Sequence, residues 1–343
     1  MTSSPLSTPA GHYAELAGVQ RGGFVESRHF GSLVALGPDG SVVAELGAPR
    51  EAILPRSSVK PIQAMACLQA GAALTGRLLA LAAASHAGED EHVAGVREIL
   101  AGAGLTESDL QCPPDMPGHG ETRRRLIAAG EGPSRIRMNC SGKHAAMLAA
   151  CVASGWPTAS YRDPDHPLQQ RISRLLAERA GEPIAHVTVD GCGAPLFGIS
   201  LTGLARAIRS MVTDEPGTPG RAVVDAMRRH PYYVAGTGHP NTVVMQNMPG
   251  VVCKGGAEGV IVAAAASGAA VAVKAIDGSA RATTAVVLAA LAALGENVDA
   301  VTDLTEVPVL GGGRPVGAIR ADAAVAAAVA RGRTHDGTRA DLP

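Results

Sequence analysis

Arg56-Ser57-Ser58-Val59-Lys60-Pro61-Ile62-Gln63 sets a serine three residues ahead of a lysine, just past Pro55 and at the start of an apolar pattern with helical spacing. Positions three apart share a helix face, so the Lys60 amine is within reach of the Ser57 hydroxyl. A lysine that is buried, or beside another cation, holds its proton less tightly. As a neutral amine it accepts the serine proton and turns a weak nucleophile into an active one. Alone, the motif reads more readily as an N-cap serine followed by a solvated first-turn lysine, because S-x-x-K is common. The remainder of the chain has to decide.

A chain of 343 residues has room for a sizeable core. Its residues are 46% hydrophobic yet only 2% aromatic, so that core is built from Ala, Val, Leu and Ile, with 42 glycines allowing close backbone approach. A formal net charge of −1 and no basic, aromatic-laced patch exclude a nucleic-acid partner. Met1 to His12 is polar and lacks an apolar signal core. The greasiest run, Val260 to Val273, is interrupted by Ser267 and Gly268 and is too short to span a bilayer. Six cysteines stand without a C-x-x-C pair and read as reduced thiols. The expectation is a soluble cytoplasmic protein with no membrane partner.

Ser32–Leu36 and Ser41–Leu46 flank Gly37-Pro38-Asp39-Gly40, a hairpin signal. From Ser58 to about Gly155 the spacing is mostly helical, with helices over Pro61–Ala70, Leu78–Ser85, His92–Gly102 and His144–Ser154, broken by Pro113-Pro114 and Pro117-Gly118. Another helix covers Pro167–Gly181. From Ile184 short strand-like runs appear at His186–Val189, Thr242–Met245, Val251–Cys253 and Ala270–Val273, with helices at Ser200–Met211, Arg221–His230 and Arg281–Leu294. The organisation expected is a flexible start (1–18), one catalytic unit (19–330) and a loose tail (331–343). Within that unit lie a hairpin region (19–55), a mostly helical region (56–183) and an α/β region (184–330) that the hairpin joins.

Four further clusters carry chemistry. Ala84-Ser85-His86-Ala87-Gly88-Glu89 follows a helical run and offers a second hydroxyl able to pass a proton to a leaving group. Met138-Asn139-Cys140-Ser141-Gly142-Lys143-His144 contains Ser-Gly-Lys, but Arg137 stands where a phosphate loop needs its first glycine and His144 where it needs Ser or Thr. That excludes a nucleotide loop and leaves a thiol and an amine three apart at a helix start, which favours thiolate. Val189-Asp190-Gly191-Cys192-Gly193 puts a second cysteine in a glycine-rich turn. A loop cysteine of this kind suits a ligand or a reactive thiol better than core filling, and two thiolates with a neutral lysine amine could make a three-ligand zinc site with an open position, although lysine is an uncommon ligand. Cys253-Lys254-Gly255-Gly256-Ala257-Glu258-Gly259 sets a lysine at a strand end beside glycines that admit a substrate backbone. Arg281, at a later helix start, is a weaker candidate carboxylate anchor.

S-x-x-K, a later serine, and K-G-G on a late strand follow the order of the penicillin-recognising serine enzymes. Here the middle element is Ser85-His86-Ala87 and the last is Lys254-Gly255-Gly256, and both depart from that pattern. The resemblance that spans about Val19 to Ala330 is to the L-asparaginase II family of the Rhizobium etli type. It rests on Arg56–Gln63, Ser85–Glu89, Asn139–His144, Asp190–Gly193 and Lys254–Gly259, five stretches in order. It implies a mixed α/β (α+β) fold of the serine β-lactamase, penicillin-binding-protein and glutaminase kind, with an antiparallel sheet flanked by helices plus a helical region. It also implies a homodimer and hydrolysis of L-asparagine to L-aspartate and ammonia. The catalytic set it implies is Ser57 with Lys60 and a second tandem of Ser85 with Lys254. Zn2+ is expected on Cys140, Lys143 and Cys192. Arg56, His86, Asp190 and Gly255 are the expected substrate-binding residues, Asp190 also orienting the zinc ligands.

The expected reaction is an acyl transfer. Lys60 takes the Ser57 proton, Ser57 attacks the carboxamide carbon, ammonia leaves with a proton from Ser85 and Lys254, and water releases aspartate. Zinc is expected to organise the pocket, since Ser57 is already the nucleophile. Two rivals stand beside this reading: a serine acyl hydrolase on glutamine or another amide, and a non-catalytic zinc-binding protein.

Overall fold

The computed structural model describes residues 10–337. Its strands are β1 (Ala14–Arg21), β2 (Phe24–Leu36), β3 (Val42–Leu46), β4 (Ala52–Ile53), β5 (His186–Val189), β6 (Pro195–Ser200), β7 (Val252–Gly256), β8 (Val260–Ala264), β9 (Ala270–Ala275), β10 (Glu306–Gly311) and β11 (Arg314–Ala321). Every residue of β2 from Gly31 to Leu36 is buried, as is every residue of β8. Strands buried on both faces read as unbroken apolar runs, and they require cover on each side. Position in the sheet supplies it.

The large sheet is antiparallel in the order β10-β11-β1-β2-β9-β8-β7, with β3 paired to the far half of β2. The hairpin read at Gly37–Gly40 is present, Leu33 lying opposite Leu46, and β2 then pairs with β9 from Gly31 opposite Ala275 to Leu36 opposite Ala270. The N-terminal hairpin thus joins the C-terminal strands. The helix Leu201–Thr213 and the helical middle pack on one face; Thr283–Leu294 and Ala323–Gly337 pack on the other. With three Phe, four Tyr and one Trp in the chain, closeness replaces bulk. Thr283–Leu294 is largely Ala, Val and Leu, and most of it is buried. A small sheet, β4-β6-β5, stands apart.

Most helices of the middle region begin and end within a few residues of the sequence reading: Lys60–Gln69, Gly76–Ala82, Asp90–Gly102, Ser141–Ala153 and Pro167–Ala180. Thr242–Met245, read as a strand, lies inside the helix Pro240–Asn247. Pro240 at the first helical position and the His239 side chain capping the Asn241 amide start that helix, and this overrides the β-branched pair Val243-Val244. The greasy run Val260–Val273 forms β8 and most of β9, turned at Ser267-Gly268. Among the described residues no helix is long and apolar enough to cross a membrane. The tail read as loose is helical from Arg331 to Gly337, and 338–343 lie outside the described residues; at the other end β1 begins at Ala14, while 1–9 lie outside them.

Among the described residues β7 ends the sheet, and one of its edges lacks a strand partner. Against that side lie the 3-10 turn Arg56–Val59 and the helix Pro240–Asn247. The turn runs directly into Lys60–Gln69. This junction of sheet edge, turn and helical region holds the chemistry.

Candidate active site

Ser57 sits in the 3-10 turn, half-buried, one residue after Arg56, whose φ of +53° falls in the left-handed region. A non-glycine residue is held there only when its surroundings fix it, and such strain gathers at functional sites. The fixing is visible. Arg56 Nε donates to Asp190 Oδ1 at 2.8 Å, and Asp190 Oδ1 also accepts the Gly191 amide at 2.9 Å. Burial opposes the Asp190 charge, but the Lys143 charge and the Arg56 hydrogen bond outweigh it and hold the carboxyl below its ordinary range. On the other side, a Cβ at Gly256 would stand 2.9 Å from Pro55 O and 3.2 Å from the amides of Ser57 and Ser58. Only glycine lets β7 approach the serine turn this closely.

Ser85 lies in the loop after Gly76–Ala82, and backbone bonds pin that loop: Ser85 N to Val234 O at 3.0 Å and His86 N to Asn139 O at 3.1 Å. The His86 ring completes the pinning. Its Nδ1 accepts from Gly88 N at 3.1 Å, so Nε2 carries the hydrogen and donates to Ser141 Oγ at 2.8 Å. Burial, then His92 and Lys60, push the ring well below the usual histidine range, so it stays neutral. Both ring nitrogens are used by the protein itself.

The two lysines converge on Ser85. Lys60 Nζ donates to Ser85 Oγ at 3.0 Å, to Ala84 O at 2.7 Å and to Cys140 Sγ at 3.1 Å. Three acceptors match the three hydrogens of an ammonium. Lys254 Nζ bonds Ser85 Oγ at 2.9 Å and Gly255 O at 2.7 Å. Both lysines are 1% exposed, and two buried ammonium groups on one hydroxyl would be costly. Burial, then the Lys60 charge, push Lys254 well below the usual lysine range. Ser85 Oγ thus accepts from both amines, and once Lys254 has given up its proton the hydroxyl is placed to donate to it. Ser57 Oγ makes no hydrogen bond among the described residues. The pairing expected from S-x-x-K spacing is not the one the structure draws, because Lys60 reaches across to the Ser85 loop.

Ser57, Ser85, Asn139, Asn241, Lys254 and Gly256 line one cavity of about 310 Å3. Gly255 lines it too; Arg56 and Asp190 do not, and are paired with each other at 2.8 Å. Arg281 donates instead to His29 Nε2 at 2.8 Å. His239 and Asn241 are site residues that the sequence reading does not single out. His239 Nδ1 accepts the Asn241 amide at 3.1 Å, which leaves Nε2–H for the cavity, and burial followed by the Lys254 charge lowers the ring to about 4. The one signal is His-Pro ahead of a late strand. His-Pro also begins helices at His166-Pro167 and His230-Pro231, so it reads as helix-start chemistry.

Behind Lys60 lies the thiol cluster. Lys143 Nζ is 3.1 Å from Cys192 Sγ, and the Cys192 thiol donates to Cys140. That hydrogen bond pulls Cys140 well below the usual thiol range, against burial, with help from the Lys60 and Lys143 charges. The Asn139 side-chain amide lies against the same sulfur, its Oδ1 2.9 Å away, and the amide turned over presents its NH2 group to a thiolate there. Among the described residues no group of three or more His, Cys, Asp or Glu is arranged to hold a metal. Cys140 and Cys192 are soft thiolate donors of the kind zinc takes, with Lys143 Nζ beside them as a third donor once its proton is lost. All six cysteines are unpaired.

An antiparallel sheet and a helical region thus bring two serines and a buried lysine to one cavity, residue types suited to acyl transfer. The family model for L-asparaginase II matches residues 17–321, and the chain belongs to that family of amidohydrolases. No curated protein matches it. Among solved structures, a β-lactamase from Mycobacterium bovis superposes with a TM-score of 0.44 at 15% identity, over 77% of this chain and 94% of that one. EstCE1, a hydrolase with promiscuous acyltransferase activity, superposes with a TM-score of 0.34 at 13% identity, over 77% and 89%.

Proposed function

We propose that the protein hydrolyses L-asparagine to L-aspartate and ammonia through an acyl-enzyme on Ser57. The observation that carries this reading is the meeting of Ser57, Ser85 and Lys254 in one cavity, in a chain of the L-asparaginase II family. Ser57 Oγ attacks the carboxamide carbon. Its proton leaves through Ser85, whose own proton passes to the neutral Lys254 amine 2.9 Å away. The relay then runs in reverse: Lys254 returns a proton through Ser85 to the departing nitrogen, and ammonia leaves. Water replaces it, is deprotonated by the same route, and releases aspartate. Lys60, fixed by three acceptors, orients Ser85 and keeps Lys254 neutral by its charge. The Ser57 amide, close to Gly256, is the oxyanion donor we assign.

Cys140, Lys143 and Cys192 would hold zinc, which supplies positive charge that neutralises the thiolates and firms the wall behind Lys60. The same reading makes the protein a cytoplasmic homodimer. Six unpaired thiols support a reducing compartment, and the exposed Phe24, Leu310 and Val316 on the β1–β2 and β10–β11 hairpins support a second copy.

One observation favours a second reading. Ser85, not Ser57, touches both lysines, and this favours Ser85 as the nucleophile. Ammonia release from L-asparagine and L-glutamine by the purified protein, beside Ser57→Ala and Ser85→Ala, tests the reaction and the substrate together. Release from asparagine that is lost in Ser57→Ala supports the proposal; no release from either amide removes it.

A further inference from the structure

A second chamber adjoins the cavity at Ser57 where Ser85 stands. Ser85, Asn139 and His239 line both, and the second, of about 530 Å3, is walled further by Asp115, His119 and Arg123. Ser85 therefore stands at the waist between the two chambers. Ammonia is about the size of water, whose share of liquid volume is roughly 30 Å3, so a leaving group of that size needs no such space. The second chamber alone has the volume of a ligand site.

Its position relative to the relay gives it a role. In the mechanism above, the leaving nitrogen takes its proton from Ser85, so that nitrogen stands at the waist during bond cleavage. Any substituent on the nitrogen, pointing away from the acyl carbon, enters the second chamber. The wall it meets is charged. Arg123 is exposed and has no ion-pair partner among the described residues, while His119 Nδ1 is occupied by Thr122 Oγ1 at 2.9 Å and lies 3.8 Å from Glu89. Glu89 is itself held by the Thr237 amide and hydroxyl at 2.9 and 2.8 Å. Asp115 carries the opposite charge on this wall, and its Oδ1 already accepts the Met116 amide at 2.7 Å. Arg123 is the cation left to receive an anion.

We propose that the site also accepts β-aspartyl amides whose nitrogen bears a carboxylate-containing substituent, that is, β-aspartyl dipeptides, with the leaving amino acid in the second chamber and its carboxylate on Arg123. This rests on the amidohydrolase reading and deepens it. The Ser57 Oγ–carbon bond forms as the carbon–nitrogen bond breaks, the Ser57 proton reaches the leaving amine through the relay, and one water then cleaves the ester. The products are aspartate and a free amino acid.

The test uses the purified full-length protein with L-asparagine and β-aspartylglycine in parallel, reading ammonia and glycine. The expected result is glycine release with kcat/KM within about tenfold of that for asparagine, and an Arg123→Gln variant in which the ratio of dipeptide to asparagine kcat/KM falls by about tenfold. Ammonia from asparagine with no glycine from the dipeptide overturns this proposal and leaves the asparaginase reading intact, as does cleavage whose ratio Arg123→Gln does not move. Glycine without ammonia supports the dipeptide site and removes asparagine as substrate. Absence of both products removes the two together.

Discussion

Lys60 Nζ lies 3.0 Å from Ser85 Oγ, although Lys60 is only three residues from Ser57. The lysine of the S-x-x-K motif thus serves the other serine, and it does so as a fixed donor with two further acceptors, Ala84 O and Cys140 Sγ. This joins three parts of the site that are distant in sequence. The serine turn, the Ser85 loop and the thiol cluster are held through one ammonium.

Removing either hydroxyl should separate their roles. Ser57→Ala is expected to lower kcat by about 10^4 or more, the loss of a nucleophile, whereas Ser85→Ala is expected to lower it by about 10^2 to 10^3, the loss of a proton relay. Steady-state kinetics on both variants, with circular dichroism to confirm folding, checks this. The reverse ranking would favour Ser85 as the nucleophile.

Lys254 sets a pH limit. Its amine must be neutral to accept a proton, and its pKa is lowered by burial and by the Lys60 charge. Activity is therefore present above the lowered value and is lost as pH falls through it. Stability carries the same sign: the unfolded chain binds a proton here that the folded chain gives up, so this group's contribution rises with pH up to the ordinary lysine range, near 10.4. Lys254→Met is expected to abolish turnover yet raise the urea midpoint at neutral pH, since a buried amine is replaced by an apolar chain of similar length. A lowered midpoint would contradict the neutral-amine assignment.

Asp190→Asn should loosen the serine turn from a distance. It removes the carboxylate that holds Arg56 at 2.8 Å, where both side chains are largely buried and Arg56 stands at φ +53°. A loss of about 2 kcal/mol in unfolding free energy is expected, the usual worth of a hydrogen bond to a charged partner, together with a fall in kcat larger than any change in KM. Denaturant melts and kinetics on the same preparation measure both.

Gly256→Ala tests the close approach of β7. The added Cβ meets Pro55 O at 2.9 Å and two amides at 3.2 Å, all backbone, so the serine turn must move. A displacement of a few tenths of an ångström at the nucleophile is expected to reduce kcat by about 10^2 with the fold retained. Unchanged kinetics would show that the turn is freer than its contacts imply.

The thiol cluster predicts metal. Elemental analysis is expected to find about one zinc per chain, lost in Cys140→Ser and in Cys192→Ser, where two donors remain of three. Zinc retained in both variants would remove these ligands.

Much of this architecture is legible in the sequence. The 37–40 hairpin is readable because turn residues sit between two apolar runs. The middle helices are readable because period and proline breaks agree. Thr242–Met245 reads as a strand and is a helix, since four β-branched and apolar residues carry no sign of whether a proline and a capping histidine upstream will start one. The candidate residues Ser57, Ser85 and Lys254 meet in one cavity, while His86, Arg56 and Asp190 are held in contacts within the protein. Which lysine bonds which serine is not readable. Sequence spacing gives reach along one helix, and the partner of Lys60 comes from a loop 25 residues away.

The most direct measurement is the mass of the protein quenched during turnover of L-asparagine, with the modified peptide sequenced. The account predicts an aspartyl ester on Ser57, absent from Ser57→Ala. An ester on Ser85, or turnover with no covalent adduct in a rapidly quenched sample of the wild-type or Ser85→Ala protein, would contradict it.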